Sequence, residues 1–246
     1  MTSVRAIYDF LDSIAPFDTQ LPFDNSGLQL GDFESSVERA MLCLDVTPAV
    51  VEQASQAACD LVVAHHPVLF HARKQLLSRD PAWLLARRGM ACIASHTPLD
   101  ACPGGVNDLL AQRLGFGAPA LLTPLIRICT LPEPLTAKAL ADHVSQKLGA
   151  PVRYIDAGKP IMTIALCGGL GCHFLGEIYG HADAFLTGDA DHHNFLDAAQ
   201  HGLTLFAAGH FETEIHVVPA LAGRLRAAFP AIQWHIANEY GVIKYA

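Results

Sequence analysis

Thirteen histidines in 246 residues are more than surface filling explains, and those of interest sit beside acids or where an apolar run stops. LVVAHHP delivers His65 and His66 in succession at the end of one such run. MACIASHTPLDA places His96 just past another, with Asp100 four residues on. LTLFAAGHFETEIHVV sets His210 and Glu214 four apart, on one face if the segment is helical. Together, three histidines and two carboxylates from these groups form a hard-to-borderline N/O donor set. Such a set suits Zn, Fe or Mn and is poor for copper(I). Five protein ligands are too many for one catalytic zinc, which keeps about three and an open position. Two divalent metal ions about 3.5–4 Å apart use them naturally and can share a hydroxide for hydrolysis.

Each group also has an ordinary reading. Consecutive side chains of a regular strand point to opposite faces, so His65 and His66 serve one site only if the strand ends there, which Pro67 favours. Otherwise they are two unrelated histidines at a strand end. Asp100 could instead cap the helix near GVNDLL, although Asn107 and Asp108 lie closer to it. His210 and Glu214 could be a solvated pair. However, His210 directly follows an apolar strand and Gly209, where an unpaired buried imidazole is costly. LTGDADHHNFLDA offers Asp189, Asp191, His192 and His193, but acids at a helix start are favoured by the dipole alone. The glycines of CGGLGCHF read better as a tight strand-to-helix turn than as an anion cradle, because they match neither a P-loop nor a dinucleotide fingerprint.

The elements that must position these residues follow an α/β pattern. Apolar runs rich in Val, Ile, Leu and Ala alternate with segments of helical period, which predicts mixed or parallel sheets flanked by helices. Val4, Ile7, Tyr8 and Leu11 form one stripe of a first helix. Thr47 is a plausible N-cap with Pro48 at the first helical position, and Gly115 suits a C-terminal cap. FGAPALLTP is read as a crossing between lobes. The expected division is a first lobe over 1–120, completed by a C-terminal strand within about 230–246, and a second lobe over 121–229. In the second lobe, TEIHVVPALAGRLRAAF reads as one helix. The chemistry-bearing residues cluster after predicted strands, where open α/β sheets bind ligands.

Composition narrows the function. With 51% hydrophobic and 16% charged residues the chain can bury a sizeable core. A formal charge of -8 without a basic cluster argues against a nucleic-acid partner. No apolar run reaches the roughly 18 residues of a membrane span, and MTSVRAIYDFLDSIAP reads as an amphipathic helix rather than a signal sequence. Seven scattered cysteines without a CxxC predict buried thiols in a reducing compartment. The cytoplasm is therefore the expected location, with no membrane association.

HHP, SHTPLD, a GG-containing turn, TGD…HH and GHxxTE, in this order and with NSGLQLGD near the N-terminus, resemble the GTP cyclohydrolase I type 2 homologue family, also called NIF-three-like proteins. The resemblance covers essentially the whole chain. It implies that His65, His66, Asp100, His210 and Glu214 bind a dinuclear metal centre in the cleft between two interlinked α/β lobes. It also implies a ring-shaped homohexamer. NSG stands where the family commonly has N-V-G, and IHVV follows GHFETE where Gly-containing sequence is common; neither change removes a ligand. The function expected is hydrolysis of a C–N bond in a nucleotide-like or heterocyclic small molecule, with His96 and His192 as candidate proton carriers. The alternative is a non-catalytic metal-binding regulatory or interaction protein.

Overall fold

A computed structural model describes residues 1–244 of the chain. The sequence expectation of mixed α/β sheets flanked by helices is met. The backbone divides into two compact units: residues 1–102 with 217–240, and residues 103–216 with the terminal segment from Gly241.

In the first unit a five-stranded sheet runs in the order Gln233–Ile236, Arg39–Cys43, Leu61–Ala64, Ala91–Ala94, Gly27–Leu30. The first four are mutually parallel, and Gly27–Leu30 closes one edge antiparallel to Ala91–Ala94. Leu61–Ala64 and Ala91–Ala94 are buried at every position, which is why they read as continuous apolar runs rather than alternating ones. The helices bear out the signals in the sequence. Val4–Ile14 buries Val4, Ile7 and Leu11, and Ser3 caps it. Pro48–Gln56 begins with Pro48, and the Thr47 hydroxyl accepts from Val50 N–H. Pro81–Arg87 packs its Leu85 into the core around Val51, Val62 and Cys92.

In the second unit the sheet order is Ala120–Leu121, Arg127–Leu135, Ile161–Cys167, Ala184–Thr187, Thr204–Ala207, Arg153–Ile155. The three central strands are parallel to one another and the outer ones antiparallel. Helix Val106–Leu114 falls in this unit because Leu110, Ala111 and Leu114 share a core with Leu140, Leu166 and Phe206. Gly115 ends that helix at φ 76°, the left-handed turn a glycine accommodates without strain. Val217–Ala228 falls in the first unit, beside Gln233–Ile236 and Arg39–Cys43. The breaks at 102/103 and 216/217 thus differ from the sequence division, and FGAPALLTP lies inside the second unit.

One element differs outright. TEIHVVPALAGRLRAAF is two helices, His210–Glu214 and Val217–Ala228, because the chain leaves the second unit at His216. All seven cysteines are buried. Among the described residues no helix is long and apolar enough to cross a membrane.

Candidate metal centre

The first donor group grows out of the ends of two neighbouring buried strands. The ladder continues just past Ala64, with His65 N–H donating to Cys43 O at 3.1 Å and His66 N–H to Leu44 O at 2.9 Å. Pro67 then ends the regular alternation, and the two imidazoles lie on the same side with ring centroids 4.8 Å apart. His96, two residues past the adjacent strand end, brings a third ring 5.3 Å from His65 and 5.4 Å from His66. Each of the three offers a ring nitrogen within 4.8 Å of the others. Asp100 lies on the short helix Thr97–Ala101, with Oδ1 3.4 Å from His65 Nε2. It does not cap the next helix, whose N-cap is Gly105.

Each of these imidazoles is held from behind. His65 Nδ1 meets the Ser95 carbonyl at 2.9 Å, His66 Nδ1 meets Asp45 Oδ1 at 2.8 Å, and His96 Nδ1 meets Asp24 Oδ1 at 2.8 Å. Carbonyl and carboxylate oxygens only accept, so Nδ1 carries the proton and Nε2 is the donor atom a cation would use. Asp24 is itself locked. Its side chain is fully buried, and it accepts from Ser26 Oγ, Thr97 N–H and Thr97 Oγ1. Burial pushes its pKa up, but the bonds from His96, Thr97 and Ser26 outweigh this and hold it well below the usual carboxylate range. Glu239, arriving from the end of the chain, accepts from Leu44 and Asp45 N–H at 2.7 and 2.9 Å, which fixes the loop that presents Asp45.

The second donor group is built the same way in the second unit. Strand Thr204–Ala207 ends, Gly209 turns the chain at φ 91°, and helix His210–Glu214 puts its two outer residues on one face. His210 Nδ1 bonds Asp189 Oδ2 at 2.8 Å, and its Nε2 lies 3.2 Å from Glu214 Oε2. Glu214 is buried. The glycines of CGGLG close over it. A Cβ on Gly169 would collide with Glu214 Oε1, and Gly169 N–H donates to Thr213 Oγ1 at 3.1 Å. That turn is a packing device for the carboxylate, as the tight-turn reading has it.

These groups fit a divalent cation on their own geometry. With Nδ1 protonated, the lone pair of His65 Nε2 faces an Asp100 oxygen and that of His210 Nε2 faces Glu214. Two acceptors at such distances repel unless a proton or cation lies between them. At His210 the proton is strongly held. Burial lowers its pKa, but hydrogen bonds to Asp189 and Glu214 and their charges raise it to about 10. A position that binds one positive charge so firmly can bind another, releasing the proton.

His65, His66, Asp100, His210 and Glu214 are all carried on elements that present them at strand ends or on the turn of helix that follows. His192 is not part of either group. It is exposed at the start of His192–Gln200, its ring 5.5 Å from that of His193. In the same segment Asp191 is the N-cap, its carboxylate accepting from Asn194 N–H in a capping box, and Asp189 is the partner of His210. The residues that sequence reasoning missed are the supports: Asp24, Asp45, Ser95 and Glu239. Asp45 left a signal, an acid at the end of the apolar run AMLCLDV, and Asp24 directly precedes NSGLQLGD. Glu239 left none, being far away in the chain.

Each of the two α/β units carries an imidazole that is braced at Nδ1 and aimed at a neighbouring carboxylate, donor groups that could hold a metal ion. The chain belongs to the Duf34/NIF3 (NGG1p interacting factor 3) family, whose profile it matches over residues 2–241. A Clostridium acetobutylicum relative named GTP cyclohydrolase 1 type 2 homolog is 30% identical over 244 residues, covering 92% of this chain and 90% of that one. A Campylobacter jejuni relative of the same name is 32% identical, covering 89% and 90%. Among solved structures, Staphylococcus aureus protein SA1388 superposes with a TM-score of 0.90 at 24% identity, covering 100% of this chain and 99% of that one. A Bacillus cereus protein related to NIF3 does so at 0.90 and 20% identity, again covering 100% and 99%. At those identities the likeness establishes the fold.

Proposed function

We propose that His65, His66 and Asp100 of the first unit and His210 and Glu214 of the second are ligands of two divalent metal ions, from among Zn, Fe and Mn, and that the protein uses them to hydrolyse a C–N bond in a nucleotide-like or heterocyclic small molecule. The observation that carries the reading is the repeated bracing. His65, His66 and His210 each donate Nδ1–H to an oxygen in their own unit, and His65 and His210 turn Nε2 to a carboxylate. Structural histidines rarely need both, whereas metal ligands almost always have the first.

Cations held by these residues would supply Lewis acidity, the means of making water nucleophilic near neutral pH and of polarising a substrate oxygen. The chain's own residues do the rest. Asp45 and Asp189 fix the tautomers of His66 and His210, and Gly168–Gly169 keep Glu214 in a dry setting where its charge is felt strongly. His96, beside His65 and His66, is the first candidate for proton carrier in this proposal, and His192, exposed at a helix start, the second. The name of the curated relatives supplies the substrate to try first, a guanine nucleotide. By the family resemblance the working form is a homohexamer, and the scattered cysteines favour the cytoplasm as its location.

The test is elemental analysis of protein purified without a metal-chelating tag, beside His65→Ala and Glu214→Ala variants, followed by a nucleotide hydrolysis screen. Near two equivalents in the native chain, reduced in both variants and accompanied by turnover, is the expected result. Two equivalents without turnover of any heterocycle would favour the regulatory, interaction-type reading. No metal would end the proposal.

A further inference from the structure

The segment FDNSGLQ does two jobs with different residues. Asp24 and Ser26 hold His96: Asp24 Oδ1 meets its Nδ1 at 2.8 Å, and Ser26 Oγ accepts its backbone N–H at 3.0 Å. Asn25 and Gln29 hold a loop instead. Gln29 Oε1 accepts from Leu69 N–H at 3.2 Å, Asn25 Nδ2 donates to Leu69 O at 2.6 Å, and the Gln29 amide donates in turn to the Asn25 carbonyl. Two side-chain amides thus satisfy both backbone polar groups of one loop residue, as a neighbouring strand would. The residue that follows shows the effect of this anchorage. Phe70 stands with its ring 5.8 Å from that of His96, edge-on at 78°, and 6.2 Å from that of Phe23, tilted by 49°. Phe23 is itself anchored by the buried side chain of the next residue, Asp24, yet is 52% exposed. One exposed apolar side chain is ordinary. Here two benzene rings, each fixed at the adjoining residue, form with His96 a row that runs from solvent to the imidazoles of the first unit.

We propose that Phe23 and Phe70 are the recognition surface for the flat ring of a heterocyclic ligand, a nucleobase or a molecule of that kind. The inference rests on the hydrolytic reading for its class of ligand and adds to it the residues that take the ring. Every base has a π-face, so stacking on an aromatic side chain holds it without hydrogen bonds to its edge. An aliphatic wall of the same size buries as much area but does not favour a flat ligand, whereas aromatic rings add offset-stacked and edge-to-face contact. A heterocycle lying on Phe70 has one edge toward His96, the first candidate for proton carrier. Sugar and phosphate find no such partner in a pair of benzene rings. Phe70 by itself could serve as a cover over His96, but a cover does not need a second ring left half in water beside it.

The experiment is a titration of the full chain with guanosine, adenosine, cytidine and uridine, all neutral nucleosides, with ribose as the control. Ligand-observed saturation-transfer NMR reads the binding, because it detects weak complexes. The native chain is compared with Phe23→Leu, Phe70→Leu and Phe70→Trp, each checked for folding by circular dichroism. A nucleoside is expected to bind the native chain, with saturation strongest on its base protons, and ribose is not. Each Leu variant should weaken that binding by roughly 5–150-fold, the range that follows from losing one base–aromatic stack. Phe70→Trp should keep it, since it retains a flat ring where Leu retains only apolar volume. A folded Phe70→Leu chain that binds the nucleoside as the native chain does would overturn the proposal. Ribose binding as well as the nucleosides, or no nucleoside binding at all, would do the same. The native protein gives a readout that needs no variant: nuclear Overhauser contacts from the base protons to phenylalanine ring protons, whose absence in a formed complex overturns the proposal. The two readings fail separately. A nucleoside held at the phenylalanines by a chain that hydrolyses no heterocycle would uphold this surface and sink the hydrolytic reading. Hydrolysis with an unchanged KM in a Phe23→Leu/Phe70→Leu chain would uphold the hydrolytic reading and sink this surface.

Discussion

At the scale of single residues, the informative atom is Nδ1 rather than Nε2. Replacing Asp189 by Asn keeps the size of the His210 partner but removes its charge and lets the imidazole choose its tautomer. Chelator-competition titration should show metal affinity lowered by about 10–100-fold, with the circular dichroism spectrum unchanged. pH gives a second prediction. In the metal-free protein His210 holds its proton up to about 10, against an ordinary value of 6.5. That proton stabilises the metal-free fold fully below pH 6.5, and the benefit fades as pH rises from there through about 10. A cation must displace it, so apparent metal affinity should climb by about tenfold per pH unit between pH 6 and 8. A flat profile in a competition assay would show that His210 is not a ligand.

At the scale of elements, the same sheet logic is used twice. An apolar strand buried on both faces ends, the chain turns, and a short helix or a proline redirects it with donors at the corner. The Gly168–Gly169 turn makes the geometry unforgiving. Gly169 has φ 58°, and a methyl group there meets Glu214 and sits 3.1 Å from His210 Nε2. Gly169→Ala should therefore cost about 1–3 kcal/mol in denaturant unfolding, through backbone strain and the clash, and lower metal content as well. Thr47→Ala makes the contrast. It removes one N-cap bond, to Val50, and should cost about 1 kcal/mol while leaving metal content untouched. Equal metal loss in both variants would mean that content tracks stability rather than the turn.

For the whole molecule, the two units meet changing conditions with different weak points. His216, where the chain leaves the second unit, is held neutral. Burial lowers its pKa to about 4, against a smaller opposing pull from a hydrogen bond to the Val106 backbone and the charge of Glu214. The unfolded chain takes up that proton first, so stability should fall as pH drops from 6.5 towards 4, by up to about 3 kcal/mol from this group. Replacing His216 with a residue that does not titrate should flatten this part of the stability curve measured by urea unfolding; an unchanged curve would rule the group out. Saturating metal should work in the opposite direction, adding about 2.7 kcal/mol at a hundred times its dissociation constant.

Residue type and spacing alone pointed to most of the elements, the strand ends and the candidate donors, because apolar period and the chemistry of His, Asp and Glu are local properties. HHP at the end of LVVA, the Thr47-Pro48 start and the Gly115 stop could all be read before any coordinates. Tertiary structure decided what local signals do not encode. It broke TEIHVVPALAGRLRAAF at the point where the chain changes units, and it assigned helix Val106–Leu114 to the second core. It turned Asp191 into a helix cap and Asp189 into the brace of His210. It also brought Asp24 to His96 across 72 residues of chain and Glu239 to Asp45 across 194. A ligand can be recognised by its own chemistry. The group that fixes its tautomer is recognised only by where it lies in space, since any carboxylate or carbonyl that folding delivers to Nδ1 will serve.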